Sequence, residues 1–217
     1  MKKNKINIKS KPLKILFLFP ILGMLFFELL NGQLVVADSV PTITSPIEPN
    51  WTTITTGSIS TTTELQDLID SAGTTPTKIE LLNNISRNDN SGESGHHVLT
   101  IAGNQEIYLT SADNSKITID VTFSEDATRG VAYVDEGGTL FLENIILTGG
   151  NRMTAEGGGG GVLLGLGLGG STLVMKDGAE ITGNSAGFGA GVYVHSGSQL
   201  YMLGGQIDNN TSTIRGS

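Results

Sequence analysis

The sequence predicts an all-β protein, a solenoid of stacked coils with one short α-helix closing its N-terminal end. Three observations lead there. Short apolar strands ("KIELL", "HVLTI", "QEIYLTS", "KITIDVTF", "GVAYV", "TLFLENIILTG") follow one another, separated by Gly, Asn, Asp and Ser. Segments of similar pattern recur about every 30 residues. A single amphipathic helical stretch precedes them. Short, closely spaced strands argue for an all-β fold, and a period of this size marks a repeat architecture.

The chain opens with a leader. Lys2, Lys3, Lys5, Lys9, Lys11 and Lys14 precede the apolar run from Ile15 to Phe27, and Val35 and Ala37 sit at the −3 and −1 positions of a small-residue cleavage site. This basic–apolar–small order predicts a signal peptide over residues 1–37. A membrane span needs about 20 apolar residues, and Pro20 and Glu28 interrupt this run. The whole chain has 13 basic and 21 acidic residues; removing the six lysines and Glu28 leaves 7 and 20, a net charge of −13. That balance argues against nucleic acid or anionic lipid as a partner. The absence of cysteine excludes a disulfide framework, a thiolate metal site and a thiol nucleophile.

Residues 38–62, with Pro41, Pro46 and Pro49, read as a Pro/Thr/Ser-rich linker, although "WTTITTGSIS" has the texture of a strand. Trp51, the single tryptophan, is expected to pack on the first turn of the domain. In "TTTELQDLIDSAGTT" Thr63 and Gln66 have capping-box spacing. Leu65, Leu68, Ile69 and Ala72 form one apolar stripe, and Gly73 is a natural stop. A helix this short needs an apolar surface to lie on.

Residues 63–217 read as a parallel β-helix with its N-terminal cap, incomplete at the C-terminus, and from Ala132 onward three repeats align. Tyr133-Val134 answers to Tyr193-Val194, Leu173 to Leu200 spans 27 residues, and Ile181 to Ile207 spans 26. Such a unit cannot bury its own apolar face, but stacked units can. The alignment predicts inward columns: Leu140–Leu173–Leu200, Leu142–Met175–Met202, Leu147–Ile181–Ile207 and Val134–Leu164–Val194. Asn184 and Asn210, each three residues past the isoleucine, are placed for an amide ladder at a corner. The helix then caps the open apolar end.

The stretches "TTTELQDLIDSAGTTPTKIELLNNI", "LTIAGNQEIYLTS", "GGTLFLENIILTGGN" and "GVYVHSGSQLYMLGGQIDNNTS" resemble the N-terminal part of right-handed parallel β-helix proteins of the pectate-lyase-like superfamily. More closely, they are similar to secreted or wall-anchored surface proteins and adhesins of Gram-positive bacteria. The resemblance implies the handedness and the cell-surface setting, and it implies a longer repeat array than the one that stops at "IDNNTSTIRGS". Its matching residues are structural, so it carries fold further than function.

Candidate chemistry is sparse. Enzymes of that superfamily use clustered acids for calcium and a basic residue for proton abstraction. Here Asp135 is answered two periods on by His195, and Glu136 by Ser196, so acids do not stack, and Arg129 and Arg152 fall in expected loops. Asp135-Glu136 is a weak candidate for a glycosidase carboxyl pair. His96-His97 reads as loop histidines rather than a zinc site. The segment "GGGGGVLLGLGLGG" contains a G-x-G-x-x-G at Gly165, Gly167 and Gly170, but no lysine or helix follows as a phosphate loop requires. It aligns instead as a strand, Val162 to Leu164, between two glycine corners, leaving Leu166 and Leu168 without a role.

The resulting expectation is a secreted or cell-surface β-helix module, non-enzymatic, adhesin-like or a structural stalk, binding glycan or host surface protein. The alternative is a polysaccharide lyase or glycoside hydrolase acting on extracellular carbohydrate. No catalytic, cofactor-binding or metal-binding residue is assigned, and no cofactor or membrane partner is expected after signal cleavage. Self-association through an open solenoid end is expected.

Overall fold

The computed structural model describes residues 27–30, 33–36, 48–87, 97–122, 129–153, 157–166 and 170–215, with the side chains of 27–36 and 214–215 left aside. The chain divides into two compact units, Met1–Ile47 and Glu48–Ser217. In the first, Phe27–Leu30 pairs antiparallel with Gln33–Val36, inside the stretch read as a leader. Among the described residues no helix is long and apolar enough to cross a membrane.

The second unit is a parallel β-solenoid of about four turns. Each turn contributes strands to as many as four sheets. The first sheet stacks Thr52–Thr55, Thr77–Leu81, Glu106–Ser111, Thr139–Glu143, Thr172–Met175 and Gln199–Met202. The second stacks Ile85–Ser86, Ile117–Asp120, Ile145–Thr148, Glu180–Thr182 and Gln206–Asp208. The third stacks Asn151–Arg152, Ser185–Phe188 and Thr211–Arg215, and the fourth His97–Ile101, Gly130–Val134, Val162–Leu164 and Val192–Val194. All pairings in these sheets are parallel.

The register is the one the repeats predict. Leu140 pairs with Leu173 and Leu173 with Leu200; Leu142 with Met175 and Met175 with Met202. Leu147 pairs with Ile181 and Ile181 with Ile207, and Leu164 lies between Val134 and Val194. The columns also run back toward the N-terminus through Ile107, Leu109, Ile119 and Ile101. Alternation puts every second side chain inward, and all of these residues except the exposed Val194 and Met202 belong to or pack against one core. Each fully buried Leu or Ile there contributes roughly 1.5–3 kcal/mol relative to exposure.

The strand Thr52–Thr55 pairs with Thr77–Leu81, so the solenoid begins within the stretch read as linker. The helix spans Thr62–Ala72, and its cap lies two residues earlier than Thr63: the Thr61 hydroxyl accepts the Glu64 N–H at 3.3 Å, and Glu64 takes the Thr61 N–H at 3.0 Å. Glu64 also takes the Ser60 N–H at 3.0 Å. Leu65 and Ile69 are fully buried, with Leu68 and Ala72 packed against the same core. Gly73 ends the helix at φ 55°.

The helix packs against His97–Ile101 and Ile85–Ser86. There Gln66 closes the sheet edge directly. Its carbonyl accepts the Thr100 N–H at 2.8 Å, and its amide donates to the Thr100 carbonyl at 3.1 Å. An exposed strand edge is thereby paired by a side chain, which blunts it against other strands.

The corner ladder is also present. The Gly150 N–H donates to Asn184 Oδ1 at 2.9 Å, and the Asn184 N–H to Asn210 Oδ1 at 3.0 Å. Asn184 Nδ2 donates to the Asn210 carbonyl oxygen of the amide at 3.0 Å and to the Leu147 carbonyl at 3.1 Å. In the glycine-rich stretch, Val162–Leu164 is the strand expected, and the glycines before it are demanded by close packing. A Cβ on Gly160 would stand 2.4 Å from the Ser185 carbonyl, and one on Gly161 2.5 Å from the Gly191 carbonyl.

Candidate functional site

Three features outside the core carry chemistry. The first is a corner between the third and fourth sheets. Arg152 ends the strand Asn151–Arg152 and His97 begins the strand His97–Ile101, so neither occupies the loop expected for it; His96 lies outside the described residues. Both are buried, at 8% and 7% exposure. Arg152 Nη1 donates to the Gly158 carbonyl at 2.6 Å and lies 3.4 Å from His97 Nε2. His97 Nε2 is 3.2 Å from the Gly159 carbonyl, and its ring stacks on Tyr133 with centroids 5.4 Å apart. Gly130 makes room for that ring: a Cβ there would fall 2.4 Å from His97 Cδ2.

Asp135 completes the corner. One oxygen accepts the Tyr133 hydroxyl and the other the Leu166 N–H at 3.2 Å. Burial, then the bond to Asp135, pushes the Tyr133 phenol up to about 12. Glu136 is exposed and takes a left-handed turn at φ 48°. The weak carboxyl candidate therefore divides: Asp135 is committed to the corner and Glu136 to the turn. Leu166 is 55% exposed, and Leu168 lies outside the described residues. Among the described residues no three His, Cys, Asp or Glu side chains converge as a metal site.

The second feature is an aromatic stripe on the outer face of the first sheet. Register places Tyr108, Phe141, Val174 and Tyr201 in one column. Trp51 crosses it, edge-on to Tyr108 at 5.3 Å and to Phe141 at 5.1 Å. The tryptophan thus packs on the third and fourth strands of the sheet rather than on the first turn. Lys176 holds this strap down by pairing with Glu48, and lies 3.2 Å from the Tyr108 hydroxyl. Tyr108 donates to Glu143 at 2.6 Å. Burial, then that bond, pushes its phenol up to about 12. Lys78 and Lys176 both stand over the Tyr108 ring, at 5.6 and 5.0 Å from its centroid.

The third feature is the last described coil. Val194 is 44% and Met202 50% exposed, although Leu164 and Met175, their counterparts one coil earlier, are fully buried. The first two features were not legible as sites in the sequence. Their members lie far apart along the chain, and only the closed coil brings them together.

No known protein family, curated protein sequence or solved structure matches the chain.

Proposed function

We propose that the chain is an exported, non-enzymatic β-solenoid module, adhesin-like, that presents the outer face of its first sheet to glycan or host surface protein. The carrying observation is the column Tyr108–Phe141–Val174–Tyr201, aromatic at three of its four positions and flanked by Lys78 and Lys176. Trp51 and Tyr201 are its half-buried members, open to a ligand. Aromatic faces bring large contact area with little rotamer entropy to lose. Residues 1–37 support export through their basic, apolar and small-residue order.

Two measurements test this reading. Residues 1–37 fused to a reporter direct its secretion from a bacterial host; retention in the cell overturns export. The protein binds in a glycan-array or host-cell assay, and Trp51→Ala with Tyr201→Ala weakens binding at least tenfold while the circular-dichroism spectrum stays unchanged. Equal binding by the double variant overturns the assignment of this face.

The last coil supports a further element of the proposal, self-association. Val194, Met202 and Leu203 of two copies bury each other's exposed apolar surface. Sedimentation of the 217-residue chain then shows a dimer that Val194→Lys with Met202→Lys converts to monomer; a wild-type monomer at all concentrations overturns it.

A further inference from the structure

The solenoid's cations are not treated alike. Lys78 pairs with Glu80 at 3.1 Å, Lys116 with Glu180, and Lys176 with Glu48. All three lysines keep at least a fifth of their side-chain surface in solvent. Arg152 is the more buried cation, at 8% exposure, and among the described residues it makes no ion pair. Its partners are neutral: a peptide carbonyl and an imidazole nitrogen. In the register, the neighbouring coil offers Ala186, which has nothing to accept a proton. Asp135, the carboxylate described in this corner, accepts from Tyr133 and Leu166.

A buried guanidinium cannot shed its proton, and a buried charge is stable when something neutralises it. An arginine fork has five N–H groups, and its geometry matches a planar or tetrahedral oxyanion two bonds at a time. At Arg152 one nitrogen is spent on Gly158 and His97, and the other N–H groups have no acceptor among the described residues. The glycines beside it let two rings approach closely: Gly130 accommodates the His97 ring, and a Cβ on Gly158 would come 2.9 Å from the Tyr193 ring.

We propose that Arg152, with His97 and Tyr133 beside it, is a site for a single oxyanion, free or carried on a larger ligand. The oxyanion accepts from the unused face of the guanidinium. The low exposure restricts the site to one anionic group rather than a polyanionic chain. That restriction suits a protein whose acidic surface repels extended polyanions. The site is separate from the aromatic stripe and stands or falls without it.

The test uses arginine Nε–H resonances of the purified chain, titrated with sodium sulfate and, separately, sodium acetate, against sodium chloride at matched ionic strength. The Arg152 signal, assigned by its absence in Arg152→Lys, shifts along a saturating curve in sulfate or acetate and stays still in chloride. The arm that saturates first tells a tetrahedral from a carboxylate ligand. In parallel, the melting temperature of the wild type rises with the logarithm of anion concentration, as binding requires. In Arg152→Gln only the linear rise that sulfate gives any protein remains. Lys116→Gln, which removes an exposed cation, keeps the wild-type response. If Arg152→Gln does not fold, the wild-type resonance still decides. An Arg152 Nε–H that moves with none of the anions, or only in proportion to ionic strength, overturns the proposal.

Discussion

Asn184 shows how much one side chain can settle in a stacked fold. It is 1% exposed, and its amide serves coils on both sides. The sequence disclosed this residue because its role repeats: Asn210 stands at the same distance past the corresponding isoleucine. Asn184→Ala strands the Gly150 N–H and the Leu147 carbonyl in the interior, and each unsatisfied buried group costs about 1–3 kcal/mol. We expect a clear fall in the urea midpoint for Asn184→Ala and a smaller one for the half-buried Asn210→Ala. Equal losses would mean that burial does not set the cost. Arg152 and His97 gave no such signal. Neither recurs in the next period, where Ala186 answers to Arg152, and a residue present once has no column to betray it.

Among the elements, the helix and the strap illustrate two degrees of legibility. The helix was plain from its apolar stripe, but its start was ambiguous. "TTTELQ" contains two capping boxes, Thr61 with Glu64 and Thr63 with Gln66, and local spacing cannot choose between them. Tertiary structure chooses, because Gln66 is needed at Thr100 to pair the sheet edge. The strap was hidden, since Glu48 and Lys176 are 128 residues apart. It makes a pH prediction. The bond to the Lys176 ammonium holds the Glu48 carboxyl below its ordinary value, against the opposing effect of burial. The stability Glu48 contributes is therefore present above the unfolded carboxyl pKa and lost as pH falls through the lowered, folded one. Trp51, the single tryptophan, reports it. Its emission shifts to the red in mild acid before the far-ultraviolet signal changes, and Glu48→Gln already shows the shifted spectrum at neutral pH. Coincident transitions in the wild type would show that the strap does not loosen on its own.

At the scale of the whole molecule, the columns make stability a sum over neighbouring coils. Leu173 lies between Leu140 and Leu200 and is fully buried, whereas Leu200 is half-buried in the last described strand of its sheet. Leu173→Ala opens a cavity enclosed on both sides and costs about 2–5 kcal/mol, and Leu200→Ala costs less because part of its surface already meets solvent. Denaturant unfolding of the two variants should rank them in that order, and the reverse order would refute the column picture. The sequence reveals this level of organisation best, since inward residues repeat at the coil period. It is silent about the outward faces, where Tyr108, Phe141, Val174 and Tyr201 share a column without sharing a residue type.

The Gln66 clasp on Thr100 has a consequence for the order in which the protein forms. Strand pairing in this fold joins residues distant in sequence, which is slow. The helix supplies a template from within its own short stretch. Each later coil then meets a completed ledge as it emerges and locks onto it. Growth from this ledge runs coil by coil, from the place where a glutamine stands in for a strand.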